Sequence, residues 1–228
     1  MILKWIAIGF FGSTLLTELL FTFINPPLTP LMVKRLIEQK LDGKSARLEK
    51  SWMPIEEISA HMIQAVVASE DNRFYDHWGI DMDAVQRAIE YNKKHHRKHG
   101  ASTISQQVAK NLFLWPTRTW IRKGLEFYFT VTLELIWSKR RIMEVYLNVI
   151  ETGDGLYGVE AAAQRYFHKP AKQLTRAEAA LIAAALPNPR KRNPALPSSF
   201  LIKRQARILR VMKQLRVTGF ASQPGAPR

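Results

Sequence analysis

The segment Ala68-Ser69-Glu70-Asp71-Asn72-Arg73-Phe74-Tyr75-Asp76-His77-Trp78-Gly79 combines acidic, basic, imidazole and aromatic side chains within a few residues. It follows an apolar segment with helical periodicity, so that two adjacent carboxylates, Glu70 and Asp71, stand at the end of a predicted helix. A packed core has no use for this mixture, whereas an active-site cleft uses such surroundings to tune a carboxylate. The alternative is a polar surface loop after a helix, and this segment alone does not choose between the two.

The composition limits the classes of protein to be considered. The chain has 228 residues, enough for one domain of moderate size and an anchor. It has no cysteine, which excludes disulfides, thiolate metal sites and cysteine nucleophiles. Its 34 Lys and Arg residues exceed its 19 Asp and Glu residues, and the net charge is +15. This surplus predicts an anionic partner: nucleic acid, acidic lipid headgroups or a phosphate-bearing substrate.

The N-terminus contains an apolar stretch, Trp5 to Ile24, of the length that crosses a bilayer. It predicts a single uncleaved transmembrane helix, because a signal peptide would be shorter and no cleavage site precedes Asn25. Glu18 is a costly residue in such a span. The positive charges after the span favour a cytoplasmic domain, but long domains translocate largely regardless of charge.

The rest of the chain is predicted to be all-α, since no strand-like alternation of any length is present. Pro54 is expected to open the helix that ends at Glu70, and Asp81 to cap the next helix. A capping box at Thr175 and Glu178 predicts another helix and a structural role for Glu178. The predicted division is an anchor, a linker with a membrane-proximal helix, a helical domain and a disordered tail, covering residues 1–24, 25–50, 51–218 and 219–228.

The segment Lys93-Lys94-His95-His96-Arg97-Lys98-His99-Gly100 is strongly basic. Its three histidines suggest a metal site, but the neighbouring cations would repel a metal ion and no carboxylate is present. A solvated loop is therefore the favoured interpretation, and no metal-binding residue is predicted.

The next helix combines an apolar and a polar face. Ser102 or Thr103 is the expected N-cap. Gln107, Lys110 and Asn111 follow at i, i+3 and i+4 and therefore share a face. Two amides and an ammonium that point the same way can bind sugar hydroxyls and a phosphate, although a solvated surface is the alternative.

A long helix predicted from Arg118 to Trp137 places Arg122 and Glu126 among its apolar, buried residues. A carboxylate on a buried face is costly unless it is paired, and Arg122 at i−4 is the expected partner. The pair is either a structural ion pair or a second cleft carboxylate with its cation. Two cleft carboxylates suggest chemistry at an acetal centre, and the extra cations suggest a phosphate leaving group.

Five motifs follow one another along the chain: Glu70-Asp-x-x-Phe74-x-x-His77-x-Gly79, Gly100-x-Ser-Thr-Ile-x-Gln-Gln107-x-x-Lys110-Asn111, Arg122-Lys-x-x-Glu126, Glu144-x-Tyr-Leu-Asn148 and Glu178-x-Ala-x-Leu. In this order they resemble the signature of the peptidoglycan glycosyltransferases, the lysozyme-like domains also found at the front of bifunctional penicillin-binding proteins. The resemblance covers about residues 50 to 190. Because the chain ends soon afterwards, it resembles the monofunctional, membrane-anchored form of Gram-negative bacteria. Only Ala101 and Ser105 depart from the usual Gly and Thr.

The resemblance implies a reaction and a set of roles. The donor would be a glycan chain on undecaprenyl diphosphate, and the acceptor lipid II, whose GlcNAc 4-hydroxyl attacks with inversion. Glu70 matches the general base, Glu126 the second essential carboxylate, and Lys110 and Arg122 the diphosphate ligands. A bound Mg²⁺ or Mn²⁺ would be possible but not required. The remaining residues implied to bind substrate are Asp71, Phe74, His77, Ser102, Thr103, Gln107, Asn111 and Asn148.

The resemblance also implies a location and partners. It places the anchor in the bacterial inner membrane and the domain in the periplasm, in contact with membrane lipids. Other cell wall synthases and division proteins are the further partners that it suggests. Three alternatives remain. A lytic enzyme of the same fold would not need the cations near Glu126. A nucleic-acid-binding protein would leave the buried carboxylates unexplained, so no nucleic acid is expected. A catalytically silent membrane scaffold would not need intact motifs.

Overall fold

The computed structural model describes residues 1–96, 100–117 and 119–215. The predicted tail, residues 219–228, and part of the basic loop lie outside this range. The described part is mostly helical, as predicted. Its helices are α1 (Ile2–Phe23), α2 (Pro30–Leu41), α3 (Ala60–Glu70), α4 (Met82–Lys94), α5 (Ile104–Phe113), α6 (Trp120–Ile136), α7 (Lys139–Val149), α8 (Val159–Phe167), α9 (Arg176–Ala185) and α10 (Ser199–Gln214).

Helix α1 has the length and composition of a membrane span over Lys4–Phe23, and only 6% of this stretch is buried within the protein. It contacts α6 and the residue Trp137 that follows α6. Thr14 Oγ1 lies 2.8 Å from the Tyr128 hydroxyl, and Thr132 donates to a Glu18 carboxylate oxygen at 2.7 Å. The Trp137 indole donates to the Glu18 carbonyl at 2.8 Å. The predicted anchor is therefore packed against the domain that it precedes, and its one carboxylate is fully buried there.

The junction between α1 and the rest of the chain is held by Arg141, in α7. Its guanidinium donates to the carbonyls of Phe21 at 2.8 Å and Ile24 at 3.0 Å, and to the Asn25 side chain at 3.1 Å. The last carbonyls of a helix have no partner within the helix, so Arg141 caps α1 from outside. Glu144 accepts from the same guanidinium at 2.6 Å. We call this set of contacts the Arg141 junction.

The prediction that the domain contains no strand is wrong. Strands β1 (Glu49–Lys50), β2 (Glu151–Gly153) and β3 (Leu156–Tyr157) form a small sheet in the order β1-β3-β2. Strand β1 pairs with β3 in parallel, and β2 pairs with β3 in antiparallel orientation. Strands of two or three residues are too short to show a two-residue alternation, which is why the sequence pattern did not indicate them.

The helix that carries Glu70 starts later than predicted. Pro54 precedes a short 3-10 turn, Ile55–Glu57, and α3 begins only after Ser59, whose hydroxyl caps it. The capping role of Asp81 and the Thr175–Glu178 capping box are both confirmed. The core lies between α3, α5, α7 and α9, and many of its residues are small alanines that allow close helix contacts. The packing of α3 in this core therefore holds Glu70, which lies at the end of the helix.

Candidate active site

Glu70 lies at the C-terminus of α3 with its side chain 13% exposed. Both carboxylate oxygens accept hydrogen bonds: Oε1 from the Ser69 hydroxyl at 2.9 Å and Oε2 from the Gln107 amide at 3.1 Å. A cavity of about 420 Å³ opens beside Glu70. It is bordered by the end of α3, one face of α4 and the loop before α5, including Ser102. A carboxylate held from two sides at a solvent-filled cavity can serve as a general base.

The residues next to Glu70 form a rigid frame. The Asp71 carboxylate contacts His77 Nε2 at 3.0 Å and accepts from the backbone N–H of Ile104 at 3.1 Å. Thr103 caps α5 and also donates to the carbonyl of Gly79 at 2.5 Å. Asp71, His77 and Thr103 are all buried. The Asp71 carboxylate, the Thr103 hydroxyl and His77 Nε2 form hydrogen bonds that connect the loop after α3 to the start of α5, whereas His77 Nδ1 is buried and has no hydrogen-bond partner within the described part of the chain.

A second buried network contacts the loop between α3 and α4. Lys139 donates to the His77 carbonyl at 2.6 Å and to the Glu134 carboxylate at 2.7 Å, and its ammonium lies 4.6 Å from the centre of the Phe74 ring. Ser105 donates to the same Glu134 carboxylate. Phe74 is fully buried. The network therefore joins α5, α6 and α7 underneath the segment that follows Glu70.

Glu126 is buried in α6 and carries two cationic partners. Its carboxylate accepts from the Arg122 guanidinium at 2.9 Å and from the Lys123 ammonium at 2.5 Å. The predicted burial of Glu126 and its pairing with Arg122 are thus confirmed. The sequence analysis did not identify Lys123 as a partner, although its i−3 spacing would have allowed it. Two cations on one carboxylate leave a net positive charge that can attract an anion.

The pKa of Lys110 depends on both Glu70 and Glu126. Burial lowers the pKa of the Lys110 ammonium, and the nearby cations Arg122 and Lys123 act in the same direction. The carboxylates of Glu126 and Glu70 oppose this lowering of the pKa. The Lys110 ammonium is thus within electrostatic range of both carboxylates, and among the described residues it forms no salt bridge to either of them.

Gln107 has a buried partner that the sequence analysis did not identify. The Tyr146 hydroxyl, in α7, donates to the Gln107 side-chain oxygen at 3.4 Å, while the Gln107 nitrogen donates to Glu70. Burial raises the pKa of Tyr146 well above its usual value, so this phenol stays protonated. The orientation of the Gln107 amide, and with it the hydrogen bond to Glu70, is therefore determined by Tyr146.

Asn148 lies away from the cleft. It is fully buried, its side-chain oxygen accepts from the Met53 N–H at 2.8 Å, and its nitrogen donates to the carbonyls of Met53 and Glu144. These bonds hold the segment before α3 against α7. The structure thus gives Asn148 a structural role and offers no support for the predicted substrate contact, because a saturated, fully buried amide has no group to present to a ligand.

The predicted site residues therefore fall into three groups. Glu70 and Ser102 line the cavity, and Gln107 donates a hydrogen bond to Glu70. Arg122 pairs with the buried Glu126, and the pKa of Lys110 is affected by both Glu126 and Glu70, while Asn111 is buried in α5. Those in the frame behind the cleft are Asp71, Phe74, His77 and Thr103. Asn148 stands apart. The described part of the chain is a mostly helical domain, preceded by an apolar helix, that has a hydrogen-bonded carboxylate at a cavity and a group of cations around Glu126.

Comparison with known proteins agrees with this class. A family model described as Transglycosylase matches residues 36–213. The chain is 53% identical over 209 residues to a biosynthetic peptidoglycan transglycosylase of Bdellovibrio bacteriovorus, covering 90% of this chain and 84% of the relative. It is 51% identical to the protein of that name from Bacteroides thetaiotaomicron and 50% identical to that of Escherichia coli, with 90% of this chain covered in both cases and 83% and 85% of the relatives. The chain belongs to the transglycosylase family.

Proposed function

We propose that this transglycosylase polymerises lipid II into β-1,4-linked glycan strands, with inversion and release of undecaprenyl diphosphate. The observation that carries the proposal is that the site has two parts, which are linked by the electrostatic influence of both Glu70 and Glu126 on Lys110. One part presents the Glu70 carboxylate at an open cavity, and the other presents Lys110, Arg122 and Lys123 around Glu126. Hydrolysis of a neutral sugar has no use for the second part, whereas a diphosphate leaving group requires it.

In the proposed reaction Glu70 accepts the proton of the GlcNAc 4-hydroxyl of lipid II. The hydroxyl oxygen then forms a bond to the anomeric carbon of the donor chain from the side opposite the diphosphate. The bond from that carbon to the diphosphate oxygen breaks, and its electron pair leaves with the diphosphate. Lys110 and Arg122 stabilise the negative charge that develops there, while Glu126 holds Arg122 in place. Proton and electron pair thus end on opposite sides of the cleft.

No step of the proposed reaction uses a divalent ion. Among the residues that the structure describes, no group of three or more His, Asp or Glu side chains could hold a metal. The carboxylate nearest the proposed diphosphate site, Glu126, is already paired with two cations. In the proposed reaction the side-chain cations Lys110 and Arg122 stabilise the charge of the diphosphate.

The proposed location is the periplasmic face of the inner membrane, with α1 as a single-pass anchor. Its length and apolar composition support an anchor. Helices α2 and α6 also carry exposed apolar residues, among them Val33, Ile37, Trp120 and Ile121. A substrate confined to a membrane surface favours an enzyme held at the same surface, because tethering raises the effective concentration. Contacts with other synthases or division proteins are not part of the proposal.

The test is incubation of the purified full-length protein with lipid II in detergent, followed by separation of the glycan products. We expect long strands from the wild type and a loss of about 10²- to 10⁴-fold in rate for Glu70→Gln, the range for a positioned general base. Glu90→Gln, an exposed carboxylate on α4, is the matched control and should polymerise normally. Shortening of added glycan strands by the wild type would favour a lytic enzyme. Normal polymerisation by Glu70→Gln would exclude Glu70 as the base.

A further inference from the structure

Arg204 lies in α10, outside all five motifs, yet its guanidinium reaches the proposed base. One terminal nitrogen is 3.4 Å from the Ser69 hydroxyl oxygen and 3.9 Å from Glu70 Oε1. The Ser69 hydroxyl in turn lies 2.9 Å from the same Glu70 oxygen. The Arg204 side chain is 31% exposed, so the group enters the protein from the surface and ends beside Glu70.

The position of Arg204 is fixed by the packing of α10 on two other helices. The Gln64 amide, in α3, donates to the carbonyl of Met212 at 2.7 Å. The Gln205 amide donates to the carbonyl of Ala177, in α9, at 2.8 Å. Gln205 is next to Arg204 in α10, and Met212 is about two turns further along the helix. The guanidinium is therefore delivered to Glu70 by a helix that is held at two points.

Arg204 makes few bonds for a partly buried guanidinium. Within the described part of the chain, its Nε atom is buried and has no hydrogen-bond partner. A buried donor without a partner costs free energy, and such costs are retained in folded proteins mainly where the group has a task. The polar contacts of the Arg204 guanidinium are with Ser69 and Glu70.

The Ser69 hydroxyl has two possible acceptors, Glu70 Oε1 at 2.9 Å and the carbonyl of Ala183 at 3.3 Å, but only one hydrogen. An N–H from Arg204 occupies the lone-pair side of this hydroxyl. The negative charge of Glu70, next to the same guanidinium, attracts the hydroxyl hydrogen more strongly than a neutral carbonyl does. Arg204 thus favours the orientation in which Ser69 donates to Glu70.

We propose that Arg204 is a positioning residue, which acts through Ser69 to hold the Glu70 carboxylate for proton abstraction. Ser69 then fixes Oε1 while Gln107 fixes Oε2, and each oxygen keeps a lone pair for the incoming hydroxyl. This inference rests on the proposed function, in which Glu70 is the base. It adds a residue from the C-terminal helix to a site otherwise built from α3, α5 and α6.

The experiment measures lipid II polymerisation by Arg204→Gln, Ser69→Ala and the double variant, together with thermal unfolding of each. We expect kcat to fall about 10- to 100-fold in both single variants, the range for a modest misplacement of a reacting group, with little change in KM. The double variant should be no worse than the poorer single variant, because both changes remove one relay. Arg207→Gln, an exposed residue one turn further along α10, is the matched control and should equal the wild type.

The outcomes separate this inference from the proposed function. If the wild type makes no glycan strands, or Glu70→Gln makes them normally, the proposed function fails. If those two proteins behave as proposed but Arg204→Gln retains the wild-type kcat, only the positioning role fails. It also fails if the losses in the two single variants multiply in the double variant, or if they follow a lowered melting temperature. Partial recovery of kcat in Arg204→Lys, which keeps the charge, would support it.

Discussion

The pKa of Lys110 is affected by both carboxylates of the proposed site, Glu126 and Glu70. Its ammonium is largely buried, and the resulting desolvation outweighs the attraction of Glu126 and Glu70. The net result is a lowered pKa. A lysine in this state loses its positive charge at a lower pH than a lysine in water, and any anion that depends on that charge loses affinity with it.

This lowered pKa predicts how substrate binding changes with pH. As the pH rises through the lowered pKa of Lys110, the ammonium becomes neutral and the KM for lipid II should increase. Lys110→Arg should remove this increase, because a guanidinium stays charged throughout. The measurement is KM from about pH 7 to about pH 10, a range that reaches the ordinary lysine pKa. Lys40→Arg, at an exposed position of α2, is the control, and an identical alkaline increase in all three proteins would contradict the role of Lys110.

Glu126 predicts a different kinetic signature from Lys110. Glu126→Gln leaves Arg122 and Lys123 without their anionic partner, so the cleft becomes more positive and lipid II should bind at least as tightly. The rate should nevertheless fall by about 10² or more, because Arg122 is no longer held where charge develops. The measurement is kcat and KM taken separately. A raised KM with unchanged kcat would show that Glu126 acts only in binding.

At the scale of elements, the loop after α3 is held against α6 at Gly79. Gly79 has a positive φ of 76°, and a Cβ atom there would lie 2.7 Å from Thr130 Cγ2 and 2.9 Å from Glu134 Cγ. Only glycine allows both the backbone conformation and this close approach. The contact brings the loop that carries Phe74 and His77 onto the helix that carries Glu126.

Gly79→Ala should therefore lower stability and activity together. We expect a loss of about 1–3 kcal/mol from the strained backbone conformation alone, with a further loss from the contacts with Thr130 and Glu134. Gly43→Ala is a matched control, because Gly43 has a similar φ of 70° but nothing within 4 Å of the added Cβ. Thermal unfolding of both variants measures the difference. Equal losses would mean that the close approach to α6 contributes nothing.

At the scale of the whole molecule, the N-terminal helix is more than a tether. Residues of α6 and α7 contact α1 through Thr132, Trp137 and Arg141, and Trp137 is almost fully buried. In α6, Thr132 contacts α1, and Glu126 pairs with Arg122. Thr132 and Glu126 are only about a turn and a half apart along this helix. Removal of α1 would therefore expose a surface on a helix that also carries a proposed active-site residue.

Deletion of residues 1–24 tests whether this contact matters beyond tethering. The truncated domain should turn over membrane-presented lipid II more slowly and unfold at a lower temperature than the full-length protein. Attaching the truncated domain to nickel-chelating vesicles by a histidine tag restores its concentration at the membrane but not its contacts with α1. We expect only partial recovery of the rate. Full recovery would show that α1 acts purely as a tether.

Interactions within one helix could be predicted from the sequence, whereas those between distant segments could not. The pairing of Arg122 with Glu126 follows from helical spacing, and the capping by Asp81 follows from local chemistry. Arg204 meets Ser69 across 135 residues, through the packing of α10 on α3, and no periodicity encodes that contact. Asn148 was assigned to substrate through its motif, but burial and bonding to Met53 depend on tertiary structure.

The Arg141 junction has a consequence for motion in the membrane. The Arg141 guanidinium binds the carbonyls of Phe21 and Ile24 and the Asn25 side chain, where α1 meets the domain. Rotation of α1 relative to the domain would break these hydrogen bonds. The apolar helix and the domain are therefore expected to move as one rigid body.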